Sequence, residues 1–283
     1  MTLNIYQIDS FTDKLYHGNP ACVVICEESW LDDSILLKIA KENAVAETSF
    51  LLHNNNNNNN NSDYEIRWFT PDIEMDLCGH ATLASGFVII NILNNNNLKN
   101  VQFHSKFSGS LDVSYNSSLD TYELNFPLRK PIEIPLSSLP IPIIESLNIQ
   151  PKKVLKSRDY ILVYDNQDEI AEIKVNKIIL DQINIDPGGV VVTAASNNNY
   201  YHFISRYFTP QSTILEDPVT GSSHCSLIPY WSEIFNLNEM IAIQLSERGG
   251  KLFCRLDNIN ERVYISGHCK TYMIGKIYVT CHT

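Results

Sequence analysis

The sequence contains no long apolar run and no leader-like N-terminal segment. None of its apolar stretches approaches the ~20 residues that a membrane-spanning helix requires. The first nine residues have neither the basic region nor the apolar region of a secretory signal. We therefore expect a soluble, cytoplasmic protein without a membrane partner.

Positive charge is also scarce. The 21 Lys and Arg residues are outnumbered by 32 Asp and Glu residues, which gives a formal net charge of -11 at pH 7. A surface that binds nucleic acid or an anionic membrane needs an excess of positive charge. The composition argues against both partners but leaves room for a local site that binds a small anion.

Paired cysteines are missing as well. The seven cysteines are scattered along the chain and never form a C-x-x-C pair, which disfavours a disulfide framework and a structural zinc site. We expect reduced thiols at Cys22, Cys26, Cys78, Cys225, Cys254, Cys269 and Cys281.

The chain has 283 residues, 44% of them hydrophobic, which suffices for one large domain or two of about 140 residues. Three asparagine tracts interrupt it, at residues 54–61, 94–97 and 197–199. Polar homopolymers cannot bury a core, so we predict that all three are expanded surface turns without a function.

A short motif occurs twice in the sequence. RWFTP at residues 67–71 matches RYFTP at residues 206–210 at an offset of 139 residues. Each copy follows an apolar run and an asparagine tract, a pattern that predicts a strand, a turn and a second strand. Each copy also precedes small residues and a helical pattern, over residues 79–93 and 220–235. We infer an internal duplication that produces two similar domains.

Short strand patterns dominate the rest of the chain, and helical patterns such as residues 32–42 are few. The predicted fold class is α+β, with two pseudo-symmetric domains that each wrap a mostly antiparallel sheet around a central helix. We predict an N-terminal half over residues 1–115, joined by a C-terminal strand over 271–283. The predicted C-terminal half covers residues 116–270, with the active site between the halves.

The two predicted helix starts suggest where a ligand binds. Both are rich in Gly, Ser, Thr and His, and a helix N-terminus offers unpaired N–H groups and the positive end of a dipole. Such a place suits a carboxylate or an enolate, so the expected ligand is a small anion. The alternative is that Thr220, Ser222 or Ser223 only caps its own helix.

At the offset of 139 residues, Cys78 corresponds to Asp217. Each repeat therefore places a group capable of acid/base work just before its helix. A racemase that uses two bases would want equal thiols at these positions. The mismatch favours a mechanism with a single base.

Two more residues have ambiguous roles. Glu47 stands among apolar and small residues, so it is either solvated at a strand end or held in a dry cleft with a raised pKa. His80 lies on the first helix start, where it is either a capping hydrogen-bond donor or a catalytic partner.

A metal site is a further alternative. His and Cys residues near the helix starts and the C-terminus could supply ligands, but their spacings are not those of zinc sites. We therefore expect no metal at this set of residues: Cys78, His80, His224, Cys225, His268 and Cys269.

Several segments resemble the PhzF-like isomerase family, named for an isomerase of phenazine biosynthesis and sharing the diaminopimelate-epimerase-like fold. The resemblance covers nearly the whole chain, and its most specific parts are CGHAT at residues 78–82 and DPVTGS at residues 217–222. The other matching segments are YQIDSF (6–11), GNPACV (18–23), AETSF (46–50), RWFTP (67–71) and ISG (265–267).

The resemblance implies an isomerase that shifts a proton on a small carboxylate metabolite without a metal or organic cofactor. It implies Glu47 as the general acid/base, with His80 and Asp217 as further catalytic residues. It also implies a homodimer, and an amino-acid-derived or aromatic carboxylate as substrate. The substrate carboxylate is expected at Gly79, Gly221, Ser222 and Ser223.

Two alternatives stay open at this point. One is a racemase or epimerase that uses Cys78 and a second base on the same fold. The other is a non-catalytic member of the fold that binds a metabolite or a protein.

Overall fold

A computed structural model describes residues 1–54, 62–185 and 188–280 of the chain. Contacts within the chain divide it into two compact units. Unit 1 comprises Met1–Asn125 and Ser266–Thr283, and unit 2 comprises Phe126–Ile265. The predicted limits of the two halves, 1–115 with 271–283 and 116–270, stay a prediction.

Unit 1 consists mainly of strands, which are numbered here along the whole chain. They are β1 (Thr2–Ser10), β2 (Asn19–Cys26), β3 (Glu47–His53), β4 (Tyr64–Phe69), β5 (Glu74–Met75), β6 (Asn100–Ser105), β7 (Gly109–Asn116), most of β8 (Thr121–Pro127) and β18 (Cys269–Tyr278). Hydrogen bonds join them in the order β18-β1-β2-β3-β4-β6-β7-β8, and β5 pairs with β4. The β2–β3 and β4–β6 pairs are parallel and the others are antiparallel.

Two α-helices accompany this sheet, α1 (Asp33–Asn43) and α2 (Gly79–Phe87), and a π-helical segment, Val88–Leu93, continues α2. All nine residues of α2 are buried, as expected for a helix that the sheet surrounds. Small residues let the strands approach it closely. A Cβ atom added at Gly86 would lie 2.3 Å from the Val113 side chain on β7.

Helix α1 follows the sequence pattern with a shift of one residue from the predicted residues 32–42. Leu36 and Ala40 are its buried residues and pack in a cluster with Phe50 and Phe69. The helix ends at Ala44, which adopts the left-handed conformation with φ 52° and donates its N–H to the Ala40 carbonyl. This sharp end directs the chain into β3.

Unit 2 also consists mainly of strands. They are β9 (Ile132–Ile134), β10 (Lys153–Lys156), β11 (Tyr160–Val163), β12 (Val190–Ala195), β13 (Phe203–Phe208), β14 (Glu216–Asp217), β15 (Glu239–Gln244), β16 (Gly250–Asp257) and most of β17 (Arg262–Gly267). Hydrogen bonds give the order β9-β10-β11-β12-β13-β15-β16, and β14 pairs with β13. The β11–β12 and β13–β15 pairs are parallel.

The described residues of unit 2 form four α-helices: α3 (Ile141–Ser146), α4 (Gln167–Glu172), α5 (Lys177–Leu180) and α6 (His224–Phe235). Helix α6 is the longest of them, and its residues from His224 to Pro229 are all buried. It therefore has the central position in unit 2 that α2 has in unit 1.

Both units repeat one order of strand pairs. From β18 to β7 the pairs are antiparallel, antiparallel, parallel, antiparallel, parallel and antiparallel, and from β9 to β16 they run in the same order. The α+β fold class predicted from the sequence is confirmed, and the repeated order agrees with an internal duplication.

The asparagine tracts lie between regular elements. Residues 94–96 form a turn after the π-helical segment, and residues 197–199 connect β12 to β13. Of the first tract, Asn54 donates its N–H to the Asp63 carbonyl, and residues 55–61 lie outside the described residues.

Six of the seven cysteines are buried and form no disulfide, as predicted, whereas Cys281 lies outside the described residues. None of the helices described here has both the length and the apolar character needed to cross a bilayer.

Candidate active site

Glu47 is the first residue of β3, directly after the turn that ends α1. It pairs in register with Ala21 on the parallel strand β2. Its side chain is 15% exposed, so most of the carboxylate is removed from water. The structure therefore favours the enclosed interpretation of Glu47 over the solvated one.

His80 is the second residue of α2, and its side chain is 3% exposed. Ser10 on β1 donates its hydroxyl to the His80 carbonyl at 3.0 Å, which ties the helix start to the sheet. The ring nitrogen Nε2 lies 3.2 Å from Oε2 of Glu47. The pair does not meet the geometry of a hydrogen bond, so this is a close electrostatic contact.

Burial lowers the pKa of His80 to about 3, although a hydrogen bond to the Pro20 carbonyl acts in the opposite direction. The ring is therefore neutral at physiological pH. Its contact with Glu47 joins a neutral imidazole to a carboxyl group and is not an ion pair.

The other ring nitrogen of His80, Nδ1, has two neighbours. The side-chain nitrogen Nδ2 of Asn19 lies 3.0 Å from it, and Sγ of Cys78 lies 3.6 Å from it. Cys78 immediately precedes α2 and is buried. One ring nitrogen of His80 thus lies beside the carboxylate of Glu47, and the other lies beside the Asn19 amide and the Cys78 thiol.

Glu47, Cys78 and His80 form a compact group, with one donor atom from each residue within 4.8 Å of the others. Carboxylate, thiolate and imidazole are all metal ligands, so these three residues could hold an ion such as Zn²⁺. No other such group occurs among the residues that the structure describes. Of the six ligands considered from the sequence, Cys78 and His80 are in the group.

Asp217 lies in unit 2, at the end of the short strand β14. Its carboxylate accepts a hydrogen bond from the hydroxyl of Thr220. Gln244, which is fully buried, donates its side-chain amide to the Asp217 carbonyl at 2.7 Å and accepts from the Thr220 N–H at 2.8 Å. These bonds fix the loop that leads into α6.

The residues after this loop divide into two kinds. Ser223 is buried, and its hydroxyl donates to the Thr220 carbonyl at 2.9 Å, so the side chain stabilises the loop. Ser222 is half-buried, and the N–H groups of Gly221 and Ser222 make no hydrogen bond to another residue within the described part of the chain. Those two N–H groups can bind an anion.

The duplicated motif carries the same ion pair in each unit. Arg67 binds Glu74 through Nε at 2.7 Å and Nη2 at 2.8 Å. Arg206 binds Glu216 through the same atoms at 2.7 Å and 2.9 Å. The strand register agrees, because Phe69 pairs with Glu74 and Phe208 pairs with Glu216.

This equivalence corrects the alignment of Cys78 with Asp217. Residues 70–73 connect β4 to β5, whereas residues 209–215 connect β13 to β14, so the second loop is three residues longer. Beyond the loop the offset is therefore 142 residues, not 139. Asp217 corresponds to Met75, and the counterpart of Cys78 is Thr220.

The helix starts support the corrected offset. The Thr82 hydroxyl bonds the Cys78 carbonyl at 2.5 Å, and Nδ1 of His224 lies 2.9 Å from the Thr220 carbonyl. In each unit, a helix side chain (Thr82 or His224) thus contacts the backbone carbonyl of the residue four positions earlier. By the same offset, His80 corresponds to Ser222.

The counterpart of Glu47 is Gly189. Thr48 pairs with Phe69, and Val190 pairs with Phe208, so the residues one position earlier correspond. A Cβ atom at Gly189 would lie 2.5 Å from the ring of Tyr207, which fills this space. The Tyr207 hydroxyl donates to the buried carboxyl of Asp159 at 3.0 Å.

The two units therefore differ in their chemistry. Unit 1 carries Glu47, Cys78 and His80, whereas unit 2 carries Gly189, Thr220 and Ser222 at the corresponding positions. No role was predicted from the sequence for Asn19, Gly189 or Gln244. Of these, Asn19 follows a glycine and precedes a proline, a pattern that indicates a turn but not a contact with His80.

The sequence of this chain is similar to that of one known protein family. A known family matches residues 8–275 of the chain, and its description is phenazine biosynthesis-like protein, PhzC-PhzF. A protein of Halalkalibacterium halodurans that is named an uncharacterized isomerase is 39% identical over 278 residues. This match covers 98% of this chain and 99% of that protein.

Solved structures show the same relationship. A PhzF-family phenazine biosynthesis protein from Enterococcus faecalis has a TM-score of 0.86 at 35% identity, and the match covers 99% of this chain and 100% of that chain. A PhzC/PhzF protein from Clostridium difficile has a TM-score of 0.84 at 40% identity, with 98% and 100% covered.

A hydroxyproline epimerase from Agrobacterium vitis has a TM-score of 0.61 at 9% identity, with 98% of this chain and 92% of that chain covered. At this identity the likeness concerns the fold alone, and it agrees with the epimerase-like architecture predicted from the sequence. The family match over most of the length, together with relatives named isomerases, shows that this chain belongs to the PhzC/PhzF family of phenazine biosynthesis-like proteins and is an isomerase.

Proposed function

We propose that this isomerase moves a proton within a small carboxylate metabolite, with Glu47 as its single general acid/base. The observation that carries this proposal is the contact between a mostly buried carboxylate and a neutral, buried imidazole 3.2 Å away. Glu47 would take a proton from carbon and return it to another atom on the same face of the substrate.

The role of His80 in this proposal follows from its burial. Because the ring stays neutral, it neither competes for the substrate proton nor places a full charge beside Glu47. A neutral imidazole can still present an N–H to the carboxylate. It would thus stabilise the form of Glu47 that acts as a base.

The difference between the units supports a mechanism with one base. A racemase with two bases needs a second group that gives a proton to the opposite face. The corresponding positions of unit 2 carry Gly189, Thr220 and Ser222, none of which is a general base at neutral pH. A proton shift on one face has no need of that second base.

The proposal assigns substrate binding to backbone N–H groups at helix starts. In unit 2, the N–H groups of Gly221 and Ser222 can donate to a carboxylate or an enolate, and such contacts matter most where charge develops. We also propose Gly79 and Ser223 as substrate-binding residues and Asp217 as a catalytic residue. The expected substrate is an amino-acid-derived or aromatic carboxylic acid.

The main test replaces Glu47 with glutamine. A thermal-shift screen of small carboxylic acids first identifies binders, which raise the melting temperature. NMR then follows the conversion of each binder by wild-type protein and by Glu47→Gln. We expect conversion by the variant to fall by about 10²- to 10⁴-fold, the usual contribution of a general acid/base.

Glu65→Gln provides a matched control. Glu65 lies on the neighbouring strand β4 and accepts a hydrogen bond from Trp30 at 3.0 Å, away from His80. It should keep the wild-type rate. If Glu47→Gln also keeps that rate and binds the same acids, the chain does not use Glu47 as a base and the proposal fails.

A second candidate function is a two-base racemization, which the position of Cys78 in the compact group favours. Isotope transfer distinguishes the two. In ordinary water, a single base carries part of the deuterium from a labelled substrate carbon into the product. With two bases, the product acquires its hydrogen from the second base, and the label is lost to solvent.

A further inference from the structure

Asn19 occupies a tightly fixed position at the start of β2. It is completely buried and pairs with Ser10 on β1. The residue before it, Gly18, has φ 65°, and a Cβ atom there would lie 2.1 Å from the Ser10 carbonyl oxygen. This turn requires glycine, and it holds the Asn19 side chain against the ring of His80.

The contact between Asn19 and His80 limits the protonation of Nδ1. The side-chain nitrogen of Asn19 lies 3.0 Å from Nδ1, and an amide nitrogen can only donate. Nδ1 must therefore be the acceptor, which leaves it without a proton.

The opposite side of the ring imposes the complementary requirement. Nε2 lies 3.2 Å from a carboxylate oxygen of Glu47. A nitrogen lone pair beside a carboxylate is repelled, whereas an N–H is attracted. The side chain of His80 is 3% exposed, and burial disfavours the charged ring with both nitrogens protonated. The neutral ring that meets the conditions set by Asn19 and Glu47 carries its proton on Nε2.

His224, at the start of α6, shows the opposite arrangement. Its Nδ1 lies 2.9 Å from the backbone carbonyl of Thr220, and a carbonyl can only accept. The proton of His224 is therefore on Nδ1. Burial lowers the pKa of His224 to about 4, so this ring is also neutral at pH 7.

We propose that Asn19 is a positioning residue that holds His80 as the Nε2–H tautomer, so that an N–H stays beside the carboxylate of Glu47. The inference rests on the proposed function of Glu47 and deepens it. A tautomer with the proton on Nδ1 would present a lone pair to Glu47 and weaken its ionised form.

The test is nitrogen NMR of protein labelled with ¹⁵N-histidine at pH 7, in which protonated and unprotonated ring nitrogens have well-separated shifts. The signals of His80 are those lost in His80→Asn. In the wild type we expect a proton on Nε2 of His80 and on Nδ1 of His224. A proton on Nδ1 of His80 in the wild type would overturn the proposal.

Asn19→Asp is the decisive variant because it has nearly the same shape but replaces the donor with an acceptor. We expect Nδ1 of His80 to carry a proton in this variant, while the signals of His224 stay unchanged as an internal reference. Unchanged signals of His80 in a folded Asn19→Asp protein would contradict the proposal. Asn19→Ser serves as a milder substitution if the aspartate prevents folding.

Catalysis gives a separate readout. We expect kcat of Asn19→Asp to fall by about 10- to 100-fold, the range typical when a residue that orients a metal-ligating histidine is removed. The substrate KM should change little. If NMR shows the expected tautomers but Glu47→Gln is fully active, the proposed function fails and the role of Asn19 in fixing the ring stands. If Glu47→Gln loses activity but the tautomers differ from those expected, the role of Asn19 is rejected and the proposed function stands.

Discussion

At the scale of single residues, His80 and His224 link the fold to pH. Burial lowers their pKa values to about 3 and about 4, compared with about 6.5 in an unfolded chain. Below about pH 6.5 the unfolded chain therefore binds protons that the folded chain does not. Their contribution to stability is complete above this pH and is lost as the pH falls towards the folded-state values.

We predict that His80→Asn reduces the dependence of stability on pH. Each buried histidine lowers the free energy of unfolding by about 1.4 kcal/mol per pH unit between about pH 6 and pH 4. Urea denaturation at pH 7, 6, 5 and 4 measures this slope, which should be about 1.4 kcal/mol per unit shallower in the variant. His17→Asn, at an exposed position, is the control. Equal slopes in the wild type and His80→Asn would show that His80 titrates normally.

The sequence indicated Glu47 and His80 but could not decide how each of them acts. Glu47 lies among small and apolar residues, which is compatible with a solvated strand end and with an enclosed site. Whether Glu47 is solvated or enclosed depends on the neighbouring strand and on α2, which are distant in sequence. Asn19 shows the same limit, because its contact with His80 spans 61 residues.

At the scale of elements, α2 depends on one close contact with the sheet. A Cβ atom at Gly86 would lie 2.3 Å from the fully buried side chain of Val113 on β7. Glycine is the poorest helix former apart from proline, by about 1 kcal/mol relative to alanine. The close contact between α2 and β7 explains why a glycine stands at position 86 of this central helix.

We predict that Gly86→Ala destabilises the protein by about 1–3 kcal/mol although alanine favours the helix, because overpacking outweighs propensity. Replacing Val113 with alanine in the same chain should restore part of that loss. Denaturation of both single variants and the double variant measures the coupling. Additive effects would mean that the two side chains do not meet.

Helices and strands were predicted from the sequence more reliably than their contacts. The residues of α1 follow the apolar periodicity, and its predicted bounds differ from the observed ones by one residue. The π-helical segment after α2 was predicted as ordinary helix, because residues 79–93 form one apolar pattern without a break. The sequence around Gly86 does not indicate that this residue contacts Val113 on β7.

At the scale of the whole molecule, the internal repeat was visible because four of five residues around the strand β4 recur in β13. The alignment failed beyond that strand because the connecting loop is three residues longer in unit 2. A change of loop length costs little free energy and leaves no mark in the motif itself. The chemical comparison of the units therefore required the strand register.

We predict that Cys78→Ser keeps the rate within about tenfold of the wild type, since the loss of a general acid/base costs about 10²-fold or more. Thr220→Cys, which restores the symmetry of thiols, should change neither the product nor its isotope content. Cys22→Ser controls for the loss of a buried thiol on the neighbouring strand. Isotope transfer from labelled substrate measures the outcome, and loss of the label in Thr220→Cys would reveal a second base.

The ring of Tyr207 beside Gly189 bears on the history of the chain. After a duplication both copies start with the same side chains, and either could have lost its base by a single substitution. In unit 2 the space beside Gly189 is filled by the Tyr207 ring from the neighbouring strand, where the ring is tied to Asp159. A glutamate at Gly189 would require the expulsion of that ring at the same time. The specialisation of the two copies is therefore one that single mutations do not reverse.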